Sequence, residues 1–327
     1  MSVMVITGGT AGVGRATAER FAQAGFDVAV IARSEAGLAE TVKSLEKYAI
    51  RALGISADVA DARQVMQAAD RIDAELGPPD VWINCAMCTV LAPFDAFSDN
   101  EYRRVTDVTY LGSVNGTREA LRLMKPRNKG IIIQVGSALA YRSIPLQSAY
   151  CAAKAAIRGF TDSLRCELIH EKSAVRLTMV QLPGINTPQF DWARNKLDGP
   201  IRPVAPVYQP EVAANAIFNA SQRNVREVWV GKTSFQSIVG HFLFPDLLDK
   251  MMAKQAWEGQ KESAPITTPK PDCLDKPVEG LHQAHGRFDR EAKEKAITVD
   301  ARLPGNIVLT VAGLALLALC KRYGKAR

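Results

Sequence analysis

Short apolar runs alternate along the chain with longer segments whose apolar positions recur at helical spacing. The first run, Val3 to Thr7, stops at Gly8-Gly9. Ala16, Phe21 and Ala22 then fall on one face of a helix expected from about 12 to 24. The alternation continues with a strand at Asp27–Ile31, a helix near 35–48, a strand near 52–57, a helix near 61–76 and a strand at Val81–Asn84. A long helix near 99–125, a strand at 131–135, a helix at 148–170, a strand at Val175–Gln181, a helix near 210–222 and a last strand at Glu227–Val230 follow. Strands separated by helices of this length predict an α/β fold, a Rossmann-like doubly wound parallel sheet flanked by helices.

Two regions break this rhythm. Residues 184 to 210 carry prolines at 188, 200, 203, 206 and 210 around Phe190 and Trp192, the composition of an apolar lid rather than a structureless insertion. Beyond the first unit, residues 1–232, lies an extension at 233–302. Its first part is an amphipathic helix near 245–257 with Leu247, Leu248, Met251 and Met252 on one side, expected to pack on the body. Prolines 265, 269, 271 and 277 then mark a linker-like stretch. Residues 303–320 are uncharged, and at ~1.5 Å per residue they span ~27 Å, close to a ~30 Å hydrocarbon core. This candidate membrane-anchoring helix competes with a hydrophobic helix docked on the body or at a subunit interface. The basic tail at 321–327 favours membrane contact with the C-terminus on the cytoplasmic side.

Composition narrows the function classes. A chain of 327 residues, 47% apolar and 23% charged, buries a substantial core, and its formal charge of +7 is spread through the body. Without a stripe of basic and aromatic residues, nucleic acid is not an expected partner. The N-terminus opens directly on a strand, so a cleaved signal peptide is not expected and the catalytic domain is read as cytoplasmic. The six cysteines lack a secreted framework spacing. Cys85 and Cys88 form a CxxC whose only companions are His282 and His285, so no metal is expected.

The chemistry concentrates in three places. Gly8, Gly9, Gly12 and Gly14 lie between the first strand and first helix, where backbone amides at a helix N-terminus cradle a pyrophosphate. The second strand ends in Arg33 with no acid before Glu35, which suits a 2′-phosphate, and therefore NADP(H), over a free ribose hydroxyl. Tyr150 and Lys154 are one helical turn apart, so an ammonium sits beside a phenol and favours the phenolate, while Ser137 ends the preceding strand.

Together these motifs resemble the short-chain dehydrogenase/reductase family over roughly residues 1 to 230. The resemblance rests on Thr7, Gly8, Gly12 and Gly14, on Asp58-Val59, on Asn84-Cys85-Ala86, on Ser137, Tyr150 and Lys154, and on Pro183-Gly184 with Thr187. It implies a general acid/base role for Tyr150, a ribose contact and phenolate support for Lys154, and a hydrogen bond from Ser137 to the reacting oxygen. It also implies a cofactor site drawn from Gly8, Thr10, Gly12, Val13, Gly14, Arg33, Asp58, Val59, Asn84, Tyr150, Lys154, Pro183, Gly184 and Thr187. The family's two long helices, here near 99–125 and 148–170, imply a homodimer or homotetramer. Two departures from the pattern stand out: Thr109 stands where the family has a helix-borne Asn, with Asn115 facing elsewhere, and Cys85 and Met87 alter the Asn-Asn-Ala-Gly loop.

The expected activity is reversible hydride transfer between NADP(H) and a carbonyl/alcohol carbon. Leu139, Tyr141, Ile144, Phe190 and Trp192 suggest a bulky apolar substrate. A catalytically weak NADPH-binding sensor and an epimerase or dehydratase of the same fold are the alternatives.

Overall fold

The computed structural model describes residues 1–263 and 272–302. The chain runs β1 (Val3–Thr7), α1 (Gly12–Gln23), β2 (Asp27–Ala32), α2 (Glu35–Leu45), β3 (Ala52–Ser56), α3 (Ala62–Glu75), β4 (Val81–Asn84), β5 (Val90–Leu91), α4 (Asp99–Val105), α5 (Gly112–Met124), β6 (Ile131–Ser137) and α6 (Ser148–His170). It continues through β7 (Arg176–Leu182), α7 (Gln189–Trp192), β8 (Arg194–Asn195), α8 (Pro210–Ser221), β9 (Glu227–Val230), α9 (Lys232–Leu243), α10 (Pro245–Glu258) and β10 (Thr298–Asp300).

Eight strands form one sheet in the order β10-β9-β7-β6-β4-β1-β2-β3. Every pair in it is parallel except β10 on β9. The strand order reverses between β1 and β4, which makes a crevice at the C-terminal ends of these strands, the place where such sheets bind ligands. Apolar residues cover both faces. Val5, Ile31, Trp82 and Ile132 pack against α3 and α5, and Met4, Ile6, Val28 and Ile133 against α1, α2 and α8. Burial on both faces explains why β1 and β6 read as unbroken apolar runs rather than alternating ones.

The single helix expected near 99–125 is interrupted. Between α4 and α5 the backbone widens into a π-helical stretch, Thr106–Leu111, with Thr109 inside it. Such insertions are rare and gather at functional sites.

The extension departs from expectation more. Leu247 on α10 is 57% exposed rather than packed on the body, whereas Met251 and Met252 line the central cleft. The stretch read as linker-like is laid on the body from Asp272 to Arg302: Leu274, His282 and Phe288 are buried and β10 closes the β9 edge of the sheet. These few anchors are spaced irregularly, so no periodicity announces them. Prolines 265, 269 and 271 and the candidate anchor at 303–320 lie outside the described residues. Among the described residues, no helix is long and apolar enough to cross a membrane.

Candidate active site

The crevice is a cleft of about 650 Å³. Its floor is the turn from β1 into α1, which needs glycine at two points above all. At Gly14 a Cβ would lie 2.1 Å from the Gly8 carbonyl oxygen, and at Gly8, where φ is +72°, it would lie 2.7 Å from Ala86 Cα. Thr7 Oγ1 accepts hydrogen bonds from the Cys85 and Ala86 amides at 3.1 and 3.2 Å, tying the ends of β1 and β4 together beneath the turn. No side chain caps the start of α1. The Gly12 amide donates to the Gln283 carbonyl at 2.9 Å, and the amides that follow it at the positive end of the helix suit an anion, so the cradle fits the pyrophosphate of a dinucleotide.

Gly8, Thr10, Gly12, Val13, Gly14, Arg33, Asp58, Val59, Ser137, Tyr150, Lys154, Pro183, Gly184 and Thr187 all line this one cleft. Asn84 does not. Its amide donates to Thr117 Oγ1 and Gln134 Oε1 at 3.0 and 3.1 Å and its Oδ1 accepts from Trp82 Nε1 at 3.0 Å, a buried network on the α5 face of the sheet. Alternation along β4 turns this side chain away from the cleft, and Cys85, Ala86 and Met87 form the wall instead. Asp58 faces the cleft with one oxygen 2.5 Å from Arg104.

Two elements converge at the reacting end. Ser137 ends β6, and Tyr150 and Lys154 lie in the first turns of α6. Ser137 Oγ accepts from the Leu139 amide at 3.2 Å, which leaves its proton free to donate. Burial pushes the Tyr150 phenol well above its ordinary value, and the hydrogen bond with Ser137 pulls in the opposite direction. Desolvation is the largest influence on the phenol here and acts against the phenolate that a neighbouring ammonium would favour. Lys154 Nζ lies 5.7 Å from the Tyr150 ring centroid and donates to the Val135 carbonyl at 2.7 Å. Burial lowers its pKa to about 8.

Thr109 is fully buried. Its hydroxyl donates to the Cys88 carbonyl at 3.0 Å and accepts from the Cys88 amide at 3.2 Å, while its own carbonyl accepts from Ser113 Oγ at 2.9 Å. The threonine thus pins the π-helical stretch to the loop after β4. Asn115 does face elsewhere, donating to the Val59 carbonyl at 2.9 Å. Restoring the family residue by Thr109→Asn puts an amide of similar volume but different shape in place of the hydroxyl and is expected to break the paired contacts with Cys88, costing about 1–3 kcal/mol. A urea midpoint unchanged from wild type is the contrary result.

The sequence reading missed the cleft's outer wall. Cys273, Pro277, Val278 and His282 line it from the C-terminal extension. Main-chain contacts account for much of this attachment, and they leave no trace in side-chain pattern. His285 lies between Asp289 and Glu211 at 2.7 and 2.8 Å, and the Cys88 thiol bonds the Arg104 carbonyl.

Comparison with known proteins agrees with this geometry. The pattern of the short chain dehydrogenase family matches residues 2–197. The uncharacterized oxidoreductase YxnA of Bacillus subtilis (strain 168) is 30% identical over 98% of this chain and 90% of its own length. The 3-dehydrosphinganine reductase of Danio rerio is 32% identical over 57% of each chain. Among solved structures, a short-chain dehydrogenase from Streptomyces avermitilis superposes with a TM-score of 0.64 at 25% identity, covering 79% of this chain and 96% of that one. An alcohol dehydrogenase from Thermococcus sibiricus, complexed with 5-hydroxy-NADP, has the same fold with a TM-score of 0.61 at 22% identity, covering 70% of this chain and 95% of that one. A cofactor cradle, a Ser/Tyr/Lys set in one cleft and a family match over most of the sheet lead to one conclusion: the chain belongs to the short-chain dehydrogenase family.

Proposed function

We propose that the protein is an NADP(H)-dependent oxidoreductase that interconverts a carbonyl and an alcohol on a bulky, largely apolar substrate. The observation that carries this reading is the single cleft shared by the glycine cradle and by Ser137, Tyr150 and Lys154. Arg33 at the end of β2 supports the phosphorylated cofactor, and the Thermococcus sibiricus structure carries an NADP derivative. The glycine turn and Arg33 would hold the dinucleotide, whose nicotinamide supplies or accepts the hydride. In reduction, Tyr150 donates its proton to the carbonyl oxygen, Ser137 hydrogen-bonds the same oxygen, and Lys154 offsets the charge left on the phenol. Leu139, Ile144, Phe190, Trp192, Val204 and Met252 supply an apolar wall. The 3-ketodihydrosphingosine reductase of Bos taurus, 31% identical over 57% of each chain, is by name a keto reductase, which supports the reductive direction.

Testing requires a panel of apolar ketones with NADPH and NADH, read as net cofactor consumption; no turnover with any of them would sink the reading. The pH profile adds a sharper check. Reduction needs a proton on Tyr150 and a charge on Lys154. Tyr150 is raised and stays protonated, whereas Lys154 loses its charge as pH rises through about 8. Reductive kcat/KM is therefore expected to be flat below about pH 7 and to fall above about pH 8, by about tenfold per unit at the steepest. A profile level to pH 10 would count against the role given to Lys154.

A further inference from the structure

The cofactor reading leaves unexplained a strap, residues 272–289, that crosses the adenosine half of the cleft. It touches each part of that subsite. The Gln283 carbonyl accepts from the Gly12 amide at 2.9 Å, and the His282 carbonyl accepts from Arg15 at 3.2 Å. The His282 ring packs over Gly37, where a Cβ would come within 2.5 Å of Nδ1. Arg33 donates to three strap carbonyls, those of Cys273, Leu274 and Asp275. Leu274 is buried with Val59 in the core beside the cleft.

Charge makes the arrangement specific. Carbonyls are neutral acceptors, so they fix the Arg33 guanidinium in place without cancelling its charge. One residue along, Ser34 Oγ donates to Glu279 Oε2 at 3.2 Å and lies 3.3 Å from His282 Nε2. The cleft wall at the end of β2 thus carries a cation, Arg33, and next to it Ser34, whose hydroxyl is bonded to an exposed carboxylate of the strap just outside the cleft. A 2′-phosphate would be drawn by the cation and opposed at longer range by the carboxylate, whereas a neutral 2′-hydroxyl would feel neither strongly.

We propose that the 272–289 strap is the outer wall of the adenosine subsite and that Glu279 on it tempers the preference for a 2′-phosphate that Arg33 creates. The proposal rests on the oxidoreductase reading, in which a nicotinamide dinucleotide fills the cleft. The wall is held from outside: Arg194 binds Asp272 at 2.9 and 3.1 Å and Asp275 at 2.7 Å.

The test is equilibrium binding of NADPH and NADH to the intact protein, followed by nicotinamide fluorescence, which needs no substrate. Glu279 is exposed, so Glu279→Gln is expected to fold normally. Removing a screened carboxylate beside a phosphate should shift the NADPH-to-NADH affinity ratio toward NADPH by about 3- to 10-fold. Arg194→Ala, which loosens the strap, should weaken both cofactors by about 5- to 20-fold, given that each charge-assisted bond it removes is a strong one. An unchanged ratio in Glu279→Gln overturns the selectivity role. Unchanged affinities in Arg194→Ala, at an unaltered melting temperature, overturn the wall. If wild-type protein binds neither dinucleotide, the oxidoreductase reading itself fails, an outcome distinct from two cofactors that bind and ignore the strap.

Discussion

Tyr150→Phe is expected to lower ketone turnover by about 10²- to 10⁴-fold, the range in which a positioned proton donor operates. The substitution removes one oxygen and little else. The Tyr150 ring packs against the core that lies on the α3, α5 and α6 side of the sheet, and a phenyl ring keeps those contacts. Fold and NADPH affinity should therefore stay within about twofold of wild type, so the effect appears in kcat, as expected when a transition-state interaction alone is lost. Ser137 keeps its bond from Leu139 and still offers a hydrogen bond to the reacting oxygen, but an alkyl hydroxyl is a far weaker acid than a phenol and cannot replace it. Steady-state kinetics with the best ketone, alongside fluorescence titration of NADPH, decide the matter. Turnover within tenfold of wild type would remove Tyr150 from the proposed mechanism.

That prediction rests on a site the sequence exposes well. Strand and helix periods differ, so the alternation of β1 through β9 with its helices is legible, and the three chemical motifs fall at strand ends and helix starts where this topology collects them. What escapes is of a different kind. The π-helical stretch at Thr106–Leu111 widens a single turn between two helical segments, too short a change for a helix period read over a long window to register. Asn84 belongs to a motif at a cleft wall, yet the pleat points its amide into a network with Thr117 and Gln134. The strap is hardest to foresee. It is polar and held largely through its carbonyls to Arg33, Arg104 and Gly12, and main-chain acceptors are the same at every residue. The upward push on the Tyr150 phenol is not legible either, because the spacing to Lys154 reports proximity and not burial.

Gly14→Ala is the second large effect expected, a loss of cofactor binding of at least about 100-fold together with a clear fall in thermal stability. The reason is backbone against backbone. The added Cβ would sit 2.1 Å from the Gly8 carbonyl oxygen, 2.9 Å from its carbon and 3.0 Å from Gly9 Cα. None of these atoms is the end of a flexible side chain, so relief requires moving either the turn or the start of α1. Moving the turn displaces the amides that would face the pyrophosphate, and it also strains Gly8, already at φ +72° against Ala86. Moving α1 disturbs Phe21 and Ala18 in the core it shares with α8. Gly159 on α6 provides the matched control, because a Cβ there meets nothing within 4 Å. Gly159→Ala should be neutral or stabilising by about 0.4–1 kcal/mol through the unfolded chain, with NADPH affinity untouched. Thermal melts and NADPH titrations on the pair separate the steric argument from a general intolerance of alanine. Gly14→Ala protein that binds NADPH like wild type would show that the turn does not carry the pyrophosphate, and the assignment of the cleft to a dinucleotide would lose its main support.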